Sequence, residues 1–397
     1  MARKILHLDL DAFFCAVEEL HNPALQGLAF AVGGRPEQRG VVASCSYPAR
    51  KFGIHSAMPM SQAVRACPGL VIVPPRFRAY RNMSRKVMER LHRVTPLVEQ
   101  ISIDEAFLDV TARGESAEQV ARDLQATINR ELGLPCSIGV AANKLVAKIA
   151  NNVGKANAVG EGPPNAIQVV APGEEASFLA PLPCDALWGV GPKTAERLRS
   201  LGLPTIGALA AAGEERLVQF LGNSGRDLAQ RALGRDDRPV ETERETKSVS
   251  QEITFSQDKH VEAELLATLH HLAQGVSRDL QRKGLTGTTV KLKLRWPDFS
   301  TPTRQVTLPE PTADAAVIAA AAQELFARLW QPGRPVRLLG VGVSGLRDKP
   351  LQMSLFDPPN EREERLIETL QRVRSRFGDA AIVRGSDLSS AAKPRRR

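Results

Sequence analysis

Apolar and polar positions change rhythm several times along the chain, and each change marks an element. Residues 3–10 alternate briefly and then stay apolar (Ile5, Leu6, Leu8, Leu10), which predicts a buried strand. Residues 12–20 predict a short helix. Residues 27–56 read as strand, turn, strand, punctuated by Gly33-Gly34 and Gly40. A helix over 78–94 sets Arg78, Arg81, Arg85, Lys86, Arg90 and Arg93 among Met83, Val87, Met88 and Leu91, so one face is heavily basic. Residues 97–110 predict two strands around Ser102-Ile103-Asp104-Glu105. A helix over 116–132 carries Val120, Leu124 and Ile128 on one stripe. A strand over 137–141 and a helix over 144–152 follow.

The texture changes after Pro163-Pro164. Residues 172–235 read as short helices separated by glycines and prolines, with no strand candidate. The charged stretch from Arg235-Asp236-Asp237-Arg238-Pro239 to Lys247 has the composition of a linker. Beyond it the rhythm predicts strand 249–255, helix 261–282, strands 290–296 and 304–308, helix 312–329 and strand 336–345. A βαββαβ order of that size implies a compact sheet with two helices on one face. Residues 348–397 form a tail. Its middle spaces Leu366, Leu370, Val373 and Phe377 as an amphipathic helix, and its Arg-rich end is too polar to pack. No internal repeat of fixed period is visible.

At 397 residues the chain has room for two to three domains, and 43% hydrophobic residues exclude wholesale disorder. No run approaches the roughly 18 apolar residues of a membrane span. The start, Met1-Ala2-Arg3-Lys4-Ile5, lacks a signal-peptide pattern, so a cytoplasmic protein is expected. The five cysteines are scattered and never spaced CxxC, which argues against a disulfide scaffold or a zinc site. Lys and Arg number 53 against 44 Asp and Glu, a net charge of +9. That balance suggests a polyanionic partner, although an ordinary basic enzyme fits it too.

Asp9 and Asp11 end the first buried strand, and Asp104-Glu105 occupy a tight turn between two apolar strands. Carboxylates at the ends of core strands are costly unless compensated. Two pairs from distant parts of one sheet could share hard cations such as Mg²⁺, which takes one or two carboxylates plus substrate phosphates. Spacing alone fits a polar hairpin turn and a helix N-cap equally well.

Three motifs carry a resemblance. Asp9-Leu10-Asp11-Ala12-Phe13-Phe14, Tyr47-Pro48-Ala49-Arg50-Lys51-Phe52-Gly53 and Ser102-Ile103-Asp104-Glu105-Ala106 occur in the order and separation seen in Y-family DNA polymerases. The chain resembles their bacterial DNA polymerase IV (DinB) branch over about residues 3–347. The resemblance implies an α+β multidomain, right-hand fold. Residues 1–10 and 75–165 would form the palm and 11–74 the fingers. A helical thumb with a helix-hairpin-helix would span 166–235, a linker 236–246 and a βαββαβ little finger 247–347. It implies a template-directed, low-fidelity polymerase for translesion synthesis, probing no mismatches with an exonuclease of its own.

The resemblance also implies site roles. Asp9 and Asp104 would bind two Mg²⁺ ions, Glu105 would complete the site at the primer 3′ hydroxyl, and the Leu10 carbonyl would add a ligand. Asp11 matches a position that is not a metal ligand. Tyr47, Arg50 and Lys155 match contacts to the dNTP triphosphate; near Lys155 the chain departs from the family with Ala156 and Ala158. Phe14 matches the steric gate that excludes a 2′-hydroxyl, and Ala43 the small residue above the nascent base pair. The hairpin Gly189-Val190-Gly191 with Lys193 would hold a DNA phosphate through backbone N–H groups. Lys291, Lys293 and Arg295 alternate with apolar residues, and period two puts them on one sheet face toward DNA. Gln352, Leu355 and Phe356, in Gln352-Met353-Ser354-Leu355-Phe356, resemble a bacterial sliding-clamp peptide. Expected partners are primer-template DNA, dNTP and the clamp, with a monomer at the nucleoid. The alternative is a catalytically inactive relative that serves as a DNA and clamp adaptor.

Overall fold

The computed structural model describes residues 2–348 and, within the tail, Thr369, Val373 and Arg376. The first strand, β1 (Ile5–Leu10), is buried along its length and becomes the middle of a five-stranded sheet. The chain then leaves this sheet for a small lobe. There α1 (Phe13–His21) leads to a three-stranded sheet of β2 (Phe30–Gly33), β3 (Val42–Cys45) and β4 (Val71–Val73), in the order β3-β2-β4. Two short helices, α2 (Tyr47–Arg50) and α3 (Met60–Ala66), complete it around a core that includes Ala31, Val42, Ile54 and Met60. Strand β4 was not evident in the sequence, because three residues give no period.

The chain returns through α4 (Phe77–Val94), β5 (Val98–Gln100), β6 (Glu105–Asp109), α5 (Ala117–Leu132), β7 (Cys136–Ala141), α6 (Lys144–Asn157) and β8 (Ile167–Val169). The sheet order is β5-β6-β1-β7-β8. Leu6, Leu8 and Leu10 point to one face and join Tyr80, Leu91, Leu124 and Ile128 of α4 and α5. Ile5 points to the other face and joins Leu145 and Ile149 of α6. Asp9 shares the Ile5 face by the alternation of the strand. Gly139 lets α6 lie directly on β7: a Cβ there would stand 1.9 Å from the Ala147 carbonyl oxygen.

Two boundaries differ from the sequence expectation. Strand β8 belongs to the five-stranded sheet, so that sheet extends past residue 165. Helix α6 continues five residues beyond 152, to Asn157, because Gly154 has no side chain to strike Gln168 and Ala166 beside it. That extra turn carries Lys155.

A helical lobe follows, α7 (Glu175–Leu179), α8 (Pro192–Ser200), α9 (Ile206–Leu221) and α10 (Asn223–Ala232). It shares one core with α6, in which Leu187 and Leu198 meet Val146 and Phe107. The first residues of the expected linker are docked rather than free. Asp236 is buried, its carboxylate accepting from the Leu145 N–H at the start of α6 (3.0 Å) and from the Arg238 guanidinium (2.7 and 2.9 Å).

The last lobe is β9 (Ser248–Lys259), α11 (Glu262–Arg282), β10 (Leu285–Arg295), β11 (Thr303–Thr312), α12 (Ala315–Leu329) and β12 (Val336–Asp348). Its antiparallel sheet has the order β11-β10-β12-β9, and both helices cover one face over Val290, Leu292, Leu294, Val341 and Val343. Arg39 of the small lobe meets it, donating to Asp258 (2.6 Å) and to the Phe255 carbonyl (3.2 Å).

Candidate active site

Strand pairing brings the distant carboxylates together. Asp9 on β1 lies directly opposite Glu105 on β6, and the Leu10 N–H donates to the Asp104 carbonyl (2.9 Å). Ser102 knits the turn: its hydroxyl bonds the Asp104 carboxylate and accepts from the N–H groups of Asp104 (3.2 Å) and Glu105 (3.1 Å). The chain then turns through Ala12, held in the left-handed region at φ 45°, before α1 begins. A non-glycine residue there is strained, and such strain gathers where a site fixes its geometry.

Burial pushes the Asp9 pKa up, against the pull of the nearby Lys155 ammonium. Lys155 Nζ lies 2.6 Å from Asp9 and 2.8 Å from Asp11. Burial pulls the lysine down, but the two carboxylates outweigh it and hold its pKa above the ordinary value. Asp11 is 1% exposed, and its other partners are the Ser137 hydroxyl (3.0 and 2.9 Å) and the Asn165 N–H (2.9 Å). It braces three segments and is spent on them.

Glu105 points elsewhere. Its Oε2 meets His7 Nε2 at 3.1 Å and the Lys148 ammonium. The His7 bond, with Lys148 behind it, holds the Glu105 pKa down to about 2. His7 is fully buried, and burial keeps its pKa below the ordinary histidine value. The Asn151 amide nitrogen, fixed by the carbonyls of His7 and Ser137 (2.9 Å each), sits 3.1 Å from His7 Nδ1. The ionised Glu105 can only accept, so Nε2 carries the hydrogen toward it and Nδ1 is left unprotonated beside the amide.

An open cavity of ≈ 380 Å³ collects Asp9, Asp104, Phe14, Ala43, Arg50 and Lys155, with the Leu10 backbone on its wall. Two expected residues stand apart from it. Glu105 is turned to His7 and Lys148. Tyr47 lines the neighbouring crevice beside Asp11, under the Arg50 guanidinium 4.6 Å from its ring centre. The Ser46 N-cap, accepting from the Ala49 N–H, sets the short turn that presents both Tyr47 and Arg50. Phe13 and Phe14 both border the cavity; Phe13 is 2% exposed and belongs to the core, and the less buried Phe14 stacks on Tyr80, ring centres 4.2 Å apart and 12° from parallel.

Lys148, His7 and Tyr80 escaped the sequence reading. Lys148 stands seven residues before Lys155, two helical turns on the same face, and His7 stands two before Asp9 on the same strand face. Those periods were a usable signal. Nothing local marks Tyr80.

The DNA-facing expectations lie elsewhere. Gly189 adopts φ 97°, Val190 turns into the lobe's core, and Gly191 caps α8, leaving Lys193 exposed beside the first helical N–H groups. On β10 the apolar side chains are buried. Lys291 is exposed, Lys293 bonds Glu252 (2.7 Å) and Arg295 bonds the Thr301 hydroxyl (2.9 Å). Gln352, Leu355 and Phe356 lie outside the described residues. Among the described residues no three His, Cys, Asp or Glu side chains converge into a ready metal cage. No described helix is long and apolar enough to cross a membrane.

Comparison with known proteins matches this arrangement. The model of the impB/mucB/samB family fits residues 8–152, the IMS family HHH motif 172–203, and the impB/mucB/samB family C-terminal domain 246–355. A DNA polymerase IV of Streptomyces coelicolor is 46% identical over 353 residues, covering 87% of this chain and 72% of that protein. That of Desulfatibacillum aliphaticivorans is 40% identical over 396 residues, 98% of each. The chain belongs to the Y family of DNA polymerases. Its structural relatives include a Y-family DNA polymerase chimera of Dbh and Dpo4, with TM-score 0.75 and 26% identity over 86% of this chain and 98% of that one. DinB from Sulfolobus solfataricus gives TM-score 0.60 at the same identity and the same coverage. In Y-family terms the five-stranded sheet is the palm, the small lobe the fingers, the helical lobe the thumb and the βαββαβ lobe the little finger. This Y-family member is a DNA-directed DNA polymerase, and enzymes of the family are metal-dependent.

Proposed function

We propose that this Y-family polymerase performs translesion synthesis, adding a dNTP to a primer 3′ hydroxyl by two-metal nucleotidyl transfer at low fidelity and without a proofreading exonuclease. The observation that carries the reading is the single cavity onto which Asp9, Asp104, Phe14, Ala43, Arg50 and Lys155 open. The donor set suits Mg²⁺. A part-buried Asp9 whose charge is costly calls for a cation beside it, and the Lys155 ammonium supplies one here, as Lys148 does for Glu105. A full protein cage is unnecessary, since Mg²⁺ keeps waters and substrate phosphates among its ligands. Asp9, Asp104, the Leu10 carbonyl and Glu105 would hold two Mg²⁺ ions, which when bound lower the pKa of the primer hydroxyl and neutralise the leaving pyrophosphate.

The remaining work belongs to this chain's own groups. Arg50, Tyr47 and Lys155 donate to the triphosphate, the arginine through its fork. The Phe14 ring excludes a sugar bearing a 2′-hydroxyl. Ala43 leaves room above the base pair for a distorted template. The hairpin at Gly189–Gly191 with Lys193, and the outer face with Lys291, Lys293 and Arg295, hold phosphates without reading sequence. We assign 352–356 to the sliding clamp, and the protein acts as a monomer at the cytoplasmic nucleoid.

Primer extension with one dNTP at a time tests the reading, beside Asp104→Asn. Template-matched addition by the wild type on plain and abasic templates, lost in the variant, is the expected result. A wild type that binds primer-template and adds nothing would instead make the chain an adaptor.

A further inference from the structure

More than half of the chain's excess positive charge sits on one helix whose cations line no part of the catalytic cavity. Helix α4 carries six Lys and Arg against one carboxylate, a net of +5 in a chain of +9. Arg78, Arg81, Arg85, Lys86 and Arg93 are all exposed. Among the described residues none of these five has a carboxylate partner; Arg85 reaches only the Asn82 side-chain oxygen, at 3.2 Å. Arg90 is the one that is neutralised, by Glu89 and Glu131. At 3.6 residues per turn the five project into an arc of roughly 140°.

A merely solvated face mixes the two signs, as other helices of this chain do. Helix α5 pairs Arg122 with Glu118, α11 pairs Arg282 with Asp279, and α12 pairs Arg328 with Glu324. On α4 like charges recur three, four and seven residues apart, and the one carboxylate among them, Glu89, is turned to Arg90, so the excess opposes the helix. Arg78 stands in the first turn, where a cation also opposes the helix dipole. Side chains that weaken their own helix need an external anion to account for them.

The face looks away from the catalytic side. Tyr80, Val87 and Leu91 anchor the opposite flank of α4 on Leu6 and Leu8, and those leucines point away from Asp9 along β1. At its far end a cavity of ≈ 200 Å³ between α4 and α5 brings Arg90 and Arg93 together with Arg113, Glu115 and Asp123, Arg113 being paired with Glu115 at 2.7 Å, so the mixed charge lies at the end of the face and not along it. A protein partner would be anchored by apolar or aromatic side chains. This arc has none, Phe77 lying outside it at the helix start.

We propose that this face of α4 is a second, sequence-blind binding surface for the phosphate backbone of duplex DNA, separate from the cleft that holds the primer-template. From Arg78 to Arg93 the helix rises about 22 Å. Duplex DNA presents a phosphate on each strand about every 3.4 Å along its axis, so all five cations find one.

The test fills the cleft first. Full-length enzyme is preloaded with a dideoxy-terminated hairpin primer-template and the next dNTP, and a labelled blunt duplex of about 30 base pairs is titrated at several salt concentrations. The wild type binds the second duplex. The variant carrying Arg81→Gln, Arg85→Gln, Lys86→Gln and Arg93→Gln loses at least about tenfold, and its slope of log affinity on log salt is shallower by about 3 to 4, near 0.9 for each contact removed. A second variant with Arg81→Lys, Arg85→Lys and Arg93→Lys retains binding. Single-nucleotide addition on a short hairpin stays within about twofold in both, so this test stands or falls apart from the polymerase reading. Absence of a second duplex on the wild type, or equal salt slopes in wild type and Gln variant, would overturn the proposal. So would equal loss in the Lys and Gln variants, or stronger displacement by poly-glutamate than by unlabelled duplex.

Discussion

Phe14 owes its place to a ring beneath it. Tyr80 stacks on it at 4.2 Å, and the Tyr80 hydroxyl donates to Glu18 (2.6 Å), a carboxylate 3% exposed that Arg76 also holds. The Tyr80→Leu and Tyr80→Phe variants separate the two jobs. An offset aromatic stack contributes about 0.5–1.5 kcal/mol beyond its burial, which corresponds to roughly 2- to 13-fold in any equilibrium the ring position controls. Tyr80→Leu therefore loosens the gate, and its dNTP over rNTP discrimination falls by about that factor. Tyr80→Phe keeps the ring and its selectivity. It removes one hydrogen bond to a buried carboxylate, an interaction of about 1.5–3 kcal/mol, and lowers the melting temperature. The assay is kcat/KM for single insertion of a deoxynucleotide and its ribonucleotide counterpart, beside thermal melts. Wild-type discrimination in a folded Tyr80→Leu enzyme would refute the idea that Tyr80 positions the gate.

Three further outcomes are expected, the first two from the packing and the third from the proposed clamp peptide. Gly139→Ala drives a methyl into the Ala147 carbonyl and forces α6 off the sheet; overpacking of this kind costs about 1–3 kcal/mol or more, read as a lower melting temperature with a raised dNTP KM through displaced Lys155. Burial alone would raise the Asp236 pKa, but Arg238 outweighs it and the net shift is downward. The docking of this segment is therefore fully present above the ordinary aspartate value of 3.8 and is lost as pH falls below it, read as faster proteolysis between the thumb and the little finger in acid; Asp236→Asn cleaves rapidly at all pH values. Leu355→Ala with Phe356→Ala leaves single-nucleotide addition unchanged and abolishes clamp-stimulated synthesis in a gel assay of product length.

The period of the chain exposed most of the architecture, because the strongest signals are one-sided. Leu6-Leu8-Leu10 and Val290-Leu292-Leu294 each put one face in a core, and a sequence shows that directly. Elements that depend on distant neighbours were harder. Strand β8 exists because β7 offers it a parallel edge, and the last turn of α6 because Gly154 permits close contact with that strand. The cavity residues were named through motifs, since the pairing of Asp9 with Glu105 spans about a hundred residues and leaves no local trace. The same distance hid Tyr80 under Phe14 and the docking of Asp236 on α6. Glu105 was expected beside Asp9 and Asp104; its side chain instead turns to His7 and Lys148, two groups that the helix and strand periods marked but no motif emphasised.

The central position of β1 has a consequence for biosynthesis. The strand that carries Asp9 is made well before both of its neighbours, β6 at Glu105–Asp109 and β7 at Cys136–Ala141. At about 5–20 residues per second, the second of those edges is completed roughly 7–26 seconds after β1 has been made. Through that interval an apolar strand of Ile5, Leu6, Leu8 and Leu10 is without its partners while the fingers, an insertion with its own core, have time to fold. Nascent chains that have not yet reached Ala141 therefore offer chaperones an incompletely paired hydrophobic strand, and a pause in translation within the fingers prolongs that exposure.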